Sequence, residues 1–448
     1  MRFDGVIEAI GQTPLVRLAL PAPEGVEAYA KLEMQNLYAM KDRVAKQVIL
    51  EARRTGLLAE GAPIIESSSG TMALGLALVG TGLGHPVHIV TDPRIDPITH
   101  TKLDALGCHV HVVTEMTSAG WQSARLELLC RLMDDLDGAF WPRQYTNPQN
   151  PAAYRALGEE LLAELDRIDV LVGAVGSGGS LCGTTRALLD ELPNLRVVGV
   201  DCVGSLIFAQ PDWPQRRQSG LGNSLQPSNV DYSVFDEVHW LNDDEAFTAT
   251  RMLAREQKIF AGNTSGSVYR VLRHLASVAA PGSTIVGIFP DRGDRYHESV
   301  YRTELSGLPM ADEPARVPYG SRVSTWSYAL LGRSGRGQLV FLESNTTGTG
   351  MLALRTAARL GVQPVLLTGR PGRYAGLDET PCRIIECDTN DPATVAHVIA
   401  KELAGQLAGI TTTSEYYLEP AAELAAANGL LGNPAEAIAN CRNKARTR

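Results

Sequence analysis

Short apolar and β-branched runs recur through the first 300 residues, separated by longer stretches with helical spacing. Residues 27–33 alternate apolar and polar positions as a strand does, and a helix is predicted from Val44 to Arg53. Further strand-like runs lie at 63–66, 85–90, 110–113, 170–175, 196–200 and 284–289. Helical stretches such as 99–106 separate them. This rhythm is typical of an α/β fold with a parallel sheet.

The hydrophobic pattern changes after Leu305, where the chain becomes rich in glycine, proline and charge up to Gly320. Such composition is typical of a linker. Beyond it, strands are predicted at 338–343 and 365–368, with a helix from Gly350 to Leu360 between them. The pattern therefore predicts a large domain at 1–305, a linker at 306–320 and a separate α/β domain at 321–448.

Composition narrows the kinds of partner. The net charge of -9 is spread along the chain without a basic cluster, which argues against nucleic acid or an anionic membrane and favours small metabolites. Seven scattered cysteines form neither a CxxC pair nor a set with metal-ligand spacing, so no metal site is predicted and reduced cytoplasmic thiols are expected. The N-terminal residues have no long apolar stretch, so neither a signal peptide nor a membrane anchor is expected.

Three short glycine-rich loops are the strongest chemical signal, because such loops direct backbone N–H groups at an anion. They are ESSSGT at 66–71, GSGGS at 176–180 and GNTSGS at 262–267. The second fits a phosphate best, although a single loop of this kind can equally be an ordinary strand-to-helix turn. Neither a Walker lysine nor the dinucleotide spacing is present there. A different phosphate-bearing cofactor is therefore expected.

Lys41 gains interest from its context, since a lone lysine is normally a solvated surface residue. The motifs GQTPLV at 11–16, KLE at 31–33, KDR at 41–43 and SSGT at 68–71 occur in this order before the GSGGS loop. Together they resemble the fold-type II pyridoxal-phosphate enzymes of the cysteine synthase and cystathionine β-synthase family. The resemblance implies two three-layer αβα subdomains, with the smaller one, at about 42–150, inserted in the larger. It also implies pyridoxal 5'-phosphate held on Lys41 as a Schiff base.

The family resemblance further implies roles for individual residues. Cofactor contacts are expected from Thr71, Gly176, Ser177, Gly178, Gly179, Ser180 and Arg292, and substrate contacts from Ser68, Ser69, Gly70, Thr71, Arg125, Tyr145 and Gly220. Thr71 stands where most members have asparagine. Arg292 stands where most present a serine to the pyridine nitrogen, and a guanidinium there would leave that nitrogen unprotonated. Alternatively, Arg292 points to solvent.

Within the family, TDPRI at 91–95, FAG at 260–262 and PDRGDRY at 290–296 are similar to the N-(2-amino-2-carboxyethyl)-L-glutamate synthase subgroup. This implies β-replacement, in which Lys41 is the base and the aminoacrylate from O-phospho-L-serine or a similar activated serine is joined to an amine such as L-glutamate. The product is a diaminopropionate precursor, and Arg125 would bind the phosphate. Alternatives are a cysteine synthase using sulfide, or a non-catalytic cofactor-binding scaffold. The family also implies a homodimer.

The C-terminal segment carries a second resemblance. FLESNTTGTG at 341–350, TTTSEYY at 411–417 and NCRNK at 440–444 resemble the α/β, Rossmann-like preliminary domain that precedes ATP-grasp ligases. The nucleotide-binding core of such a ligase is absent from the sequence. The segment is therefore interpreted as a packing or docking domain, with a separate ATP-grasp ligase as a possible partner, or as a piece of a longer fusion.

Overall fold

The fold is described from a computed structural model. It describes residues 2–117, 120–331, 338–359, 362–403, 407–430 and 432–442. The chain divides into two compact units. Unit 1 comprises Met1–Val230 with Asp236–Leu330, and unit 2 comprises Asp231–Phe235 with Leu331–Arg448. Among the described residues, no helix is long and apolar enough to cross a membrane.

Unit 1 contains two β-sheets. Its described strands are β1 (Leu15–Arg17), β2 (Glu27–Lys31), β3 (Ile64–Ser67), β4 (Val87–Thr91), β5 (His109–Val112), β6 (Val170–Ala174), β7 (Arg196–Cys202), β8 (Glu237–Leu241), β9 (Thr284–Ile288), β10 (Ala315–Arg316) and β11 (Ser327–Leu330). The large sheet has the order β1-β2-β9-β6-β7-β8-β11-β10, and the small parallel sheet has the order β3-β4-β5. In the large sheet, the neighbouring strands β2, β9, β6, β7 and β8 run parallel to one another. Strand β1 pairs antiparallel with β2, and β11 pairs antiparallel with β8.

Helices connect these strands. They are α1 (Lys41–Arg54), α2 (Thr71–Gly82), α3 (Pro97–Ala105), α4 (Trp121–Asp135), α5 (Gln149–Ala152), α6 (Arg155–Glu164), α7 (Gly179–Leu189), α8 (Asp243–Gln257) and α9 (Asn263–Val278). Local signals explain several of their starts. Asp96 caps α3 ahead of Pro97, and Asn242 and Glu245 form a reciprocal capping box at α8.

The central strands of the large sheet are buried, which explains their continuous apolar runs. Val172, Val198 and Ile285 are fully buried in the core, as expected for a parallel sheet covered on its faces. The small sheet lies between β2 and β6 in sequence, within the stretch predicted as the smaller subdomain. In both sheets, the carboxyl end of a parallel strand leads directly into a glycine-rich loop, after β3 and after β6.

The boundary between the units differs from the one predicted at 306–320. Unit 1 extends to Leu330, because β10 and β11 add two strands to the large sheet beyond β8. Trp326 is almost fully buried, and its indole N–H donates to His239 Nδ1 at 3.1 Å. On the other side of that ring, His239 Nε2 lies 2.5 Å from a carboxylate oxygen of Glu237. The residues predicted to open the C-terminal domain therefore complete the first one.

Unit 2 is a small parallel α/β fold. Its described elements in this segment are β12 (Gln338–Leu342), α10 (Thr349–Arg359), β13 (Gln363–Thr368), β14 (Arg383–Glu386), α11 (Pro392–Glu402), β15 (Leu407–Thr411), α12 (Leu418–Ala427) and α13 (Ala435–Arg442). The sheet order is β14-β13-β12-β15, and apolar clusters cover both faces. The predicted strands at 338–343 and 365–368 are present. Leu360, the predicted end of the helix, and residues 443–444 lie outside the described residues.

Candidate active site

A cavity of about 230 Å³ in unit 1 brings together residues that are distant in sequence. Most of the predicted site residues are in its wall: Lys41, Ser68, Ser69, Gly70, Thr71, Arg125, Tyr145, Gly176, Ser177, Ser180 and Gly220. Residues of the glycine-rich loops after β3 and β6 line the cavity, and so does Lys41 at the start of α1. The cavity therefore combines one lysine with two sets of helix N-terminal donors.

Lys41 is the first residue of α1. Its Nζ donates to Ser177 Oγ at 3.1 Å and lies 5.9 Å from the ring centroid of Tyr154. Because protein atoms surround the amine and solvate its charged form poorly, the pKa of Lys41 is lowered to about 8. A substantial fraction of the amine is therefore neutral near physiological pH, which is the form needed by a nucleophile or a base.

A buried ion network fixes the segment that carries Lys41. The Arg43 guanidinium donates to both oxygens of Glu33 at 2.7 and 2.9 Å, and to both oxygens of Glu160 at 2.7 and 2.9 Å. Lys31 Nζ lies 3.1 Å from carboxylate oxygens of Glu160 and Glu164. Since Glu33 and Lys31 are fully buried, the network ties β2, α1 and α6 together immediately beside the reactive amine.

The loop after β6 has a shape that side chains larger than hydrogen would disturb. Gly178 has φ +83°, and a Cβ added at Gly179 would lie 2.0 Å from Asn150 Oδ1. Gly178 and Gly179 are not in the cavity wall, so their contribution is to form the turn that starts α7. Ser177 and Ser180 do line the cavity. Glycine N–H groups and two serines at a helix N-terminus match a phosphate ester.

The loop after β3 starts α2 and lies near two cavity-lining arginines. Arg295 Nη1 would be 3.2 Å from a Cβ at Gly70, and its Nε lies 3.5 Å from Asp96 Oδ2. The side chain of Arg125 is only 14% exposed, and its Nη1 lies 3.5 Å from Asp92 Oδ2. Within the described residues, the Nε of each arginine is buried without a hydrogen-bond acceptor. The cavity therefore offers donors and positive charge to anionic groups.

The structure does not bring Arg292 to the cavity. Its guanidinium donates instead to the backbone carbonyls of Met34 and Asn36, at 3.0 and 3.3 Å, and the partly exposed side chain is not in the cavity wall. The preceding residue, Asp291, lines the cavity. Tyr296 OH donates to its Oδ2, and no described residue donates to its Oδ1. Burial raises the pKa of Asp291 to about 6.

Sequence reasoning thus missed several cavity residues, chiefly Asp291, Arg295, Tyr296 and Thr264. The signal was present, since the first three lie in the PDRGDRY motif and Thr264 lies in the third glycine-rich loop. What the motif alone did not show is which of its side chains face inward. Thr264 Oγ1 donates to the backbone carbonyl of Ser219 at 2.9 Å, which holds the Gly220 segment against the cavity.

Comparison with known proteins assigns the family. The family model described as "Pyridoxal-phosphate dependent enzyme" matches residues 6–291, which is more than half of the chain. The chain belongs to this family. This chain is 38% identical over 309 residues to the N-(2-amino-2-carboxyethyl)-L-glutamate synthase of Ralstonia nicotianae. The alignment covers 68% of this chain and 91% of that protein.

Solved structures of related enzymes have the same fold as this chain. O-ureido-L-serine synthase matches with a TM-score of 0.63 and 30% identity, over 68% of this chain and 98% of that one. The O-acetylserine dependent cystathionine β-synthase of Helicobacter pylori matches with a TM-score of 0.62 and 30% identity, over 66% and 98% of the two chains. The chain is therefore a pyridoxal-phosphate-dependent β-replacement synthase of the cysteine synthase family, with an α/β fold of fold-type II.

The cavity residues fit the cofactor of the family. The amine of Lys41 could form the Schiff base with the aldehyde carbon of the cofactor. The turn at 176–180 could hold the phosphate, and it needs its glycines because a Cβ at Gly178 or Gly179 would collide with Val230 or Asn150. When bound, pyridoxal phosphate stabilises negative charge that develops at the substrate Cα and thereby permits loss of a group from Cβ. The protein supplies the base, the anion sites and the orientation.

Proposed function

We propose that the enzyme takes O-phospho-L-serine as its first substrate and an amino acid such as L-glutamate as its second. The observation that carries this proposal is the presence of two partly buried guanidinium groups, Arg125 and Arg295, in one cavity wall. A phosphorylated serine and a dicarboxylic amino acid bring more negative charge than an acetylated serine and sulfide. The relative from Ralstonia nicotianae, named N-(2-amino-2-carboxyethyl)-L-glutamate synthase, supports the same choice.

In this proposal, the loop at 68–71 receives the first substrate's carboxylate at the N-terminus of α2. Arg125 binds the phosphate group as a fork of donors. Lys41, in its neutral amine form, takes the proton from Cα of the substrate. Ser177 Oγ lies within hydrogen-bond distance of the Lys41 Nζ. The C–O bond at Cβ breaks and phosphate departs. The amine of the second amino acid then forms a bond to Cβ and loses a proton, while Cα regains the proton held by Lys41, giving a diaminopropionate precursor.

Arg295 is assigned to a carboxylate of the incoming amino acid. The backbone donors of the 68–71 loop serve the first substrate, so a further, partly buried cation beside Gly70 suits a second anion. Arg295 is also held over the ring of Tyr296, 5.1 Å from its centroid, which fixes its direction. Glutamate has carboxylates that Arg295 could bind, whereas sulfide has none.

Asp291 is assigned to the pyridine nitrogen of the cofactor. An aspartate can accept or hold a proton there, which the arginine predicted for this role cannot. The free Oδ1 and the raised pKa of Asp291 fit a carboxyl group that shares a proton with a partner. Asp291→Asn should weaken retention of pyridoxal phosphate about tenfold and shift the absorption maximum of the bound cofactor. Asp294→Asn, at an exposed neighbour, is the control. If both variants behave like the wild type, the assignment is wrong.

The substrate proposal is tested with Arg125→Gln, comparing O-phospho-L-serine with O-acetyl-L-serine. Loss of two charge-assisted hydrogen bonds should lower kcat/KM for the phosphorylated substrate about 100-fold, whereas the acetylated substrate should change less than about threefold. Arg94→Gln is the matched control, because Arg94 pairs with the same Asp92 at 2.9 Å but is largely exposed and outside the cavity wall. Equal losses for both substrates would contradict a phosphate site at Arg125.

The second substrate is tested separately with Arg295→Gln. Phosphate release on addition of O-phospho-L-serine alone should persist, while KM for L-glutamate should rise about tenfold or more. Faster product formation with sulfide than with any amino acid would favour a cysteine synthase and overturn the glutamate assignment. The homodimer, the cytoplasmic location, the ATP-grasp-like interpretation of residues 321–448 and a separate ligase partner stay predictions.

A further inference from the structure

Unit 2 contains a crevice of about 950 Å³ that the catalytic proposal does not use. Its lining residues follow the carboxyl ends of all four strands, β12, β13, β14 and β15. In the sheet order β14-β13-β12-β15, the chain proceeds from β12 to β13 and β14 on one side and returns to place β15 on the other. The strand order therefore reverses between β12 and β15, which are neighbours in the sheet although β13 and β14 separate them in sequence. In open parallel sheets, ligands bind in the crevice formed at such a point.

The crevice presents two cations without protein partners. Arg370 and Arg373 both line it and are exposed. In the part of unit 2 that the structure describes, neither guanidinium forms a hydrogen bond or an ion pair, although Arg383 of the same sheet pairs with Glu402 at 2.9 Å. Two unpaired guanidinium groups facing one concave surface are suited to a multiply charged anion such as a phosphate.

The floor of the crevice is polar and rigid. Glu343 adopts φ +50°, and its carboxylate accepts hydrogen bonds from Thr368 Oγ1, Gly369 N, Tyr374 OH and Thr389 Oγ1 at 2.5 to 2.9 Å. Burial alone would raise the pKa of Glu343, but these donors hold it below its ordinary value. A non-glycine residue in this conformation is uncommon, and such positions cluster at ligand sites. These four hydrogen bonds fill the acceptor positions of the Glu343 carboxylate, which therefore fixes the loops that form the floor.

An aromatic side chain stands at the rim. Tyr416 lines the crevice and is 81% exposed, while the neighbouring Tyr417 is fixed by donating its OH to Asn390 Oδ1 at 3.0 Å. A tyrosine exposed to this extent has a free face on which a planar ring can stack. Base stacking on an aromatic residue needs no particular base edge. The rim thus provides a surface for a flat, apolar ring in the same crevice as the arginines.

We propose that the crevice of unit 2 binds a nucleoside phosphate. Its phosphate would contact Arg370 and Arg373, its sugar hydroxyls would donate to Glu386 or Asp388 after β14, and its base would stack on Tyr416. A ligand that is only an anion would leave the aromatic rim unused, and a ligand without phosphate would leave the two arginines unused. The size is sufficient, because small-molecule sites typically measure about 300 to 1,000 Å³. This site is independent of the substrates assigned to unit 1.

Isothermal titration calorimetry on the full-length holoenzyme tests the proposal with ADP, pyrophosphate and adenosine. We expect ADP to bind with one site per chain and more tightly than either fragment. Replacing both arginines, Arg370→Gln with Arg373→Gln, should weaken ADP binding about tenfold or more. Tyr416→Ala should weaken ADP binding without changing the binding of pyrophosphate. Circular dichroism of each variant checks that unit 2 remains folded.

Two control variants locate the binding event. Arg383→Gln removes an arginine from the same sheet outside the crevice, and Arg125→Gln removes one from the catalytic cavity. Both should bind ADP as the wild type does. Absence of ADP binding at millimolar concentration, an unchanged affinity in the double arginine variant, or equal affinities for ADP and pyrophosphate would each overturn the proposal. Loss of ADP binding in the Arg125 variant alone would place the event in the catalytic cavity and would overturn it as well.

Discussion

Replacing Arg43 by methionine should destabilise unit 1 strongly, because it leaves buried Glu33 without a cation. Arg43 donates four hydrogen bonds of 2.7 to 2.9 Å, shared equally between Glu33 and Glu160. Glu33 is fully buried and would keep only neutral donors, from Thr13 at 2.5 Å and Asn36 at 3.2 Å. Breaking a buried ion pair costs about 3 to 5 kcal/mol. Since those neutral donors remain, we expect a loss of about 3 kcal/mol at pH 7.5.

The expected loss has a pH signature. A carboxyl group stranded in the core can escape its unfavourable ionised state by taking up a proton, so the destabilisation should shrink as the pH falls toward 5. Adding Glu33→Gln to Arg43→Met removes the stranded charge and should restore about 2 kcal/mol at pH 7.5. Glu160 should tolerate both changes better, because Lys31 remains 3.1 Å from it.

Urea-induced unfolding followed by tryptophan fluorescence measures this effect in unit 1 alone. All five tryptophans of the chain, at positions 121, 141, 213, 240 and 326, lie in that unit. Arg54→Met is a suitable control, since Arg54 pairs with Glu51 on an exposed face of the same helix. A loss below about 1 kcal/mol, a loss that does not vary with pH, or a double variant no more stable than Arg43→Met would refute the reasoning.

Three further predictions concern the cofactor. Lys41→Ala should abolish covalent attachment of pyridoxal phosphate after borohydride reduction, and a cofactor-bearing peptide containing any other lysine in mass spectra would contradict the assignment. In apoenzyme, burial lowers the pKa of Lys41 to about 8, so the attachment rate should rise between pH 7 and 9 and then level off; a rate still climbing above pH 10 would indicate an ordinary lysine. Gly179→Ala places a Cβ 2.0 Å from Asn150 Oδ1 and should weaken cofactor binding, measured by equilibrium dialysis, whereas Gly372→Ala meets nothing and should not.

The predictable parts of the site are those whose residues lie close together in the sequence. The turns after β3 and β6 need glycine and hydroxyl residues in consecutive positions, and Lys41 lies in a short motif, so one-dimensional information identifies them. Arg125 was predicted as well, and the cavity includes it.

The direction of side chains after β9 was not predictable in the same way. Along an extended segment, successive side chains point to opposite sides, so an error of one position selects the wrong face. That is the difference between Arg292, which the sequence assigned to the cofactor, and Asp291, which the structure places in the cavity. Only the exit path of the chain from the sheet distinguishes the two.

The end of unit 1 was unpredictable for a different reason. Strand β10 has two residues and β11 has four, and both are surrounded by proline, glycine and charge that resemble a linker. Strand β11 depends on pairing with β8, which lies about 90 residues earlier, and β10 in turn pairs with β11. Non-local pairing of this kind overrides weak local preference and leaves little trace in the hydrophobic pattern.

The buried position of Trp326 also limits how the two units could be exchanged between proteins. The family match ends at 291, yet β11 covers the edge of β8, whose five residues are all buried. A recombination event that cut the gene where the family-model match ends would uncover that edge and favour pairing with other chains. A viable exchange would have to cut after Leu330. The modular boundary of this protein is therefore set by its hydrogen-bonded sheet, about 40 residues beyond the end of the family-model match.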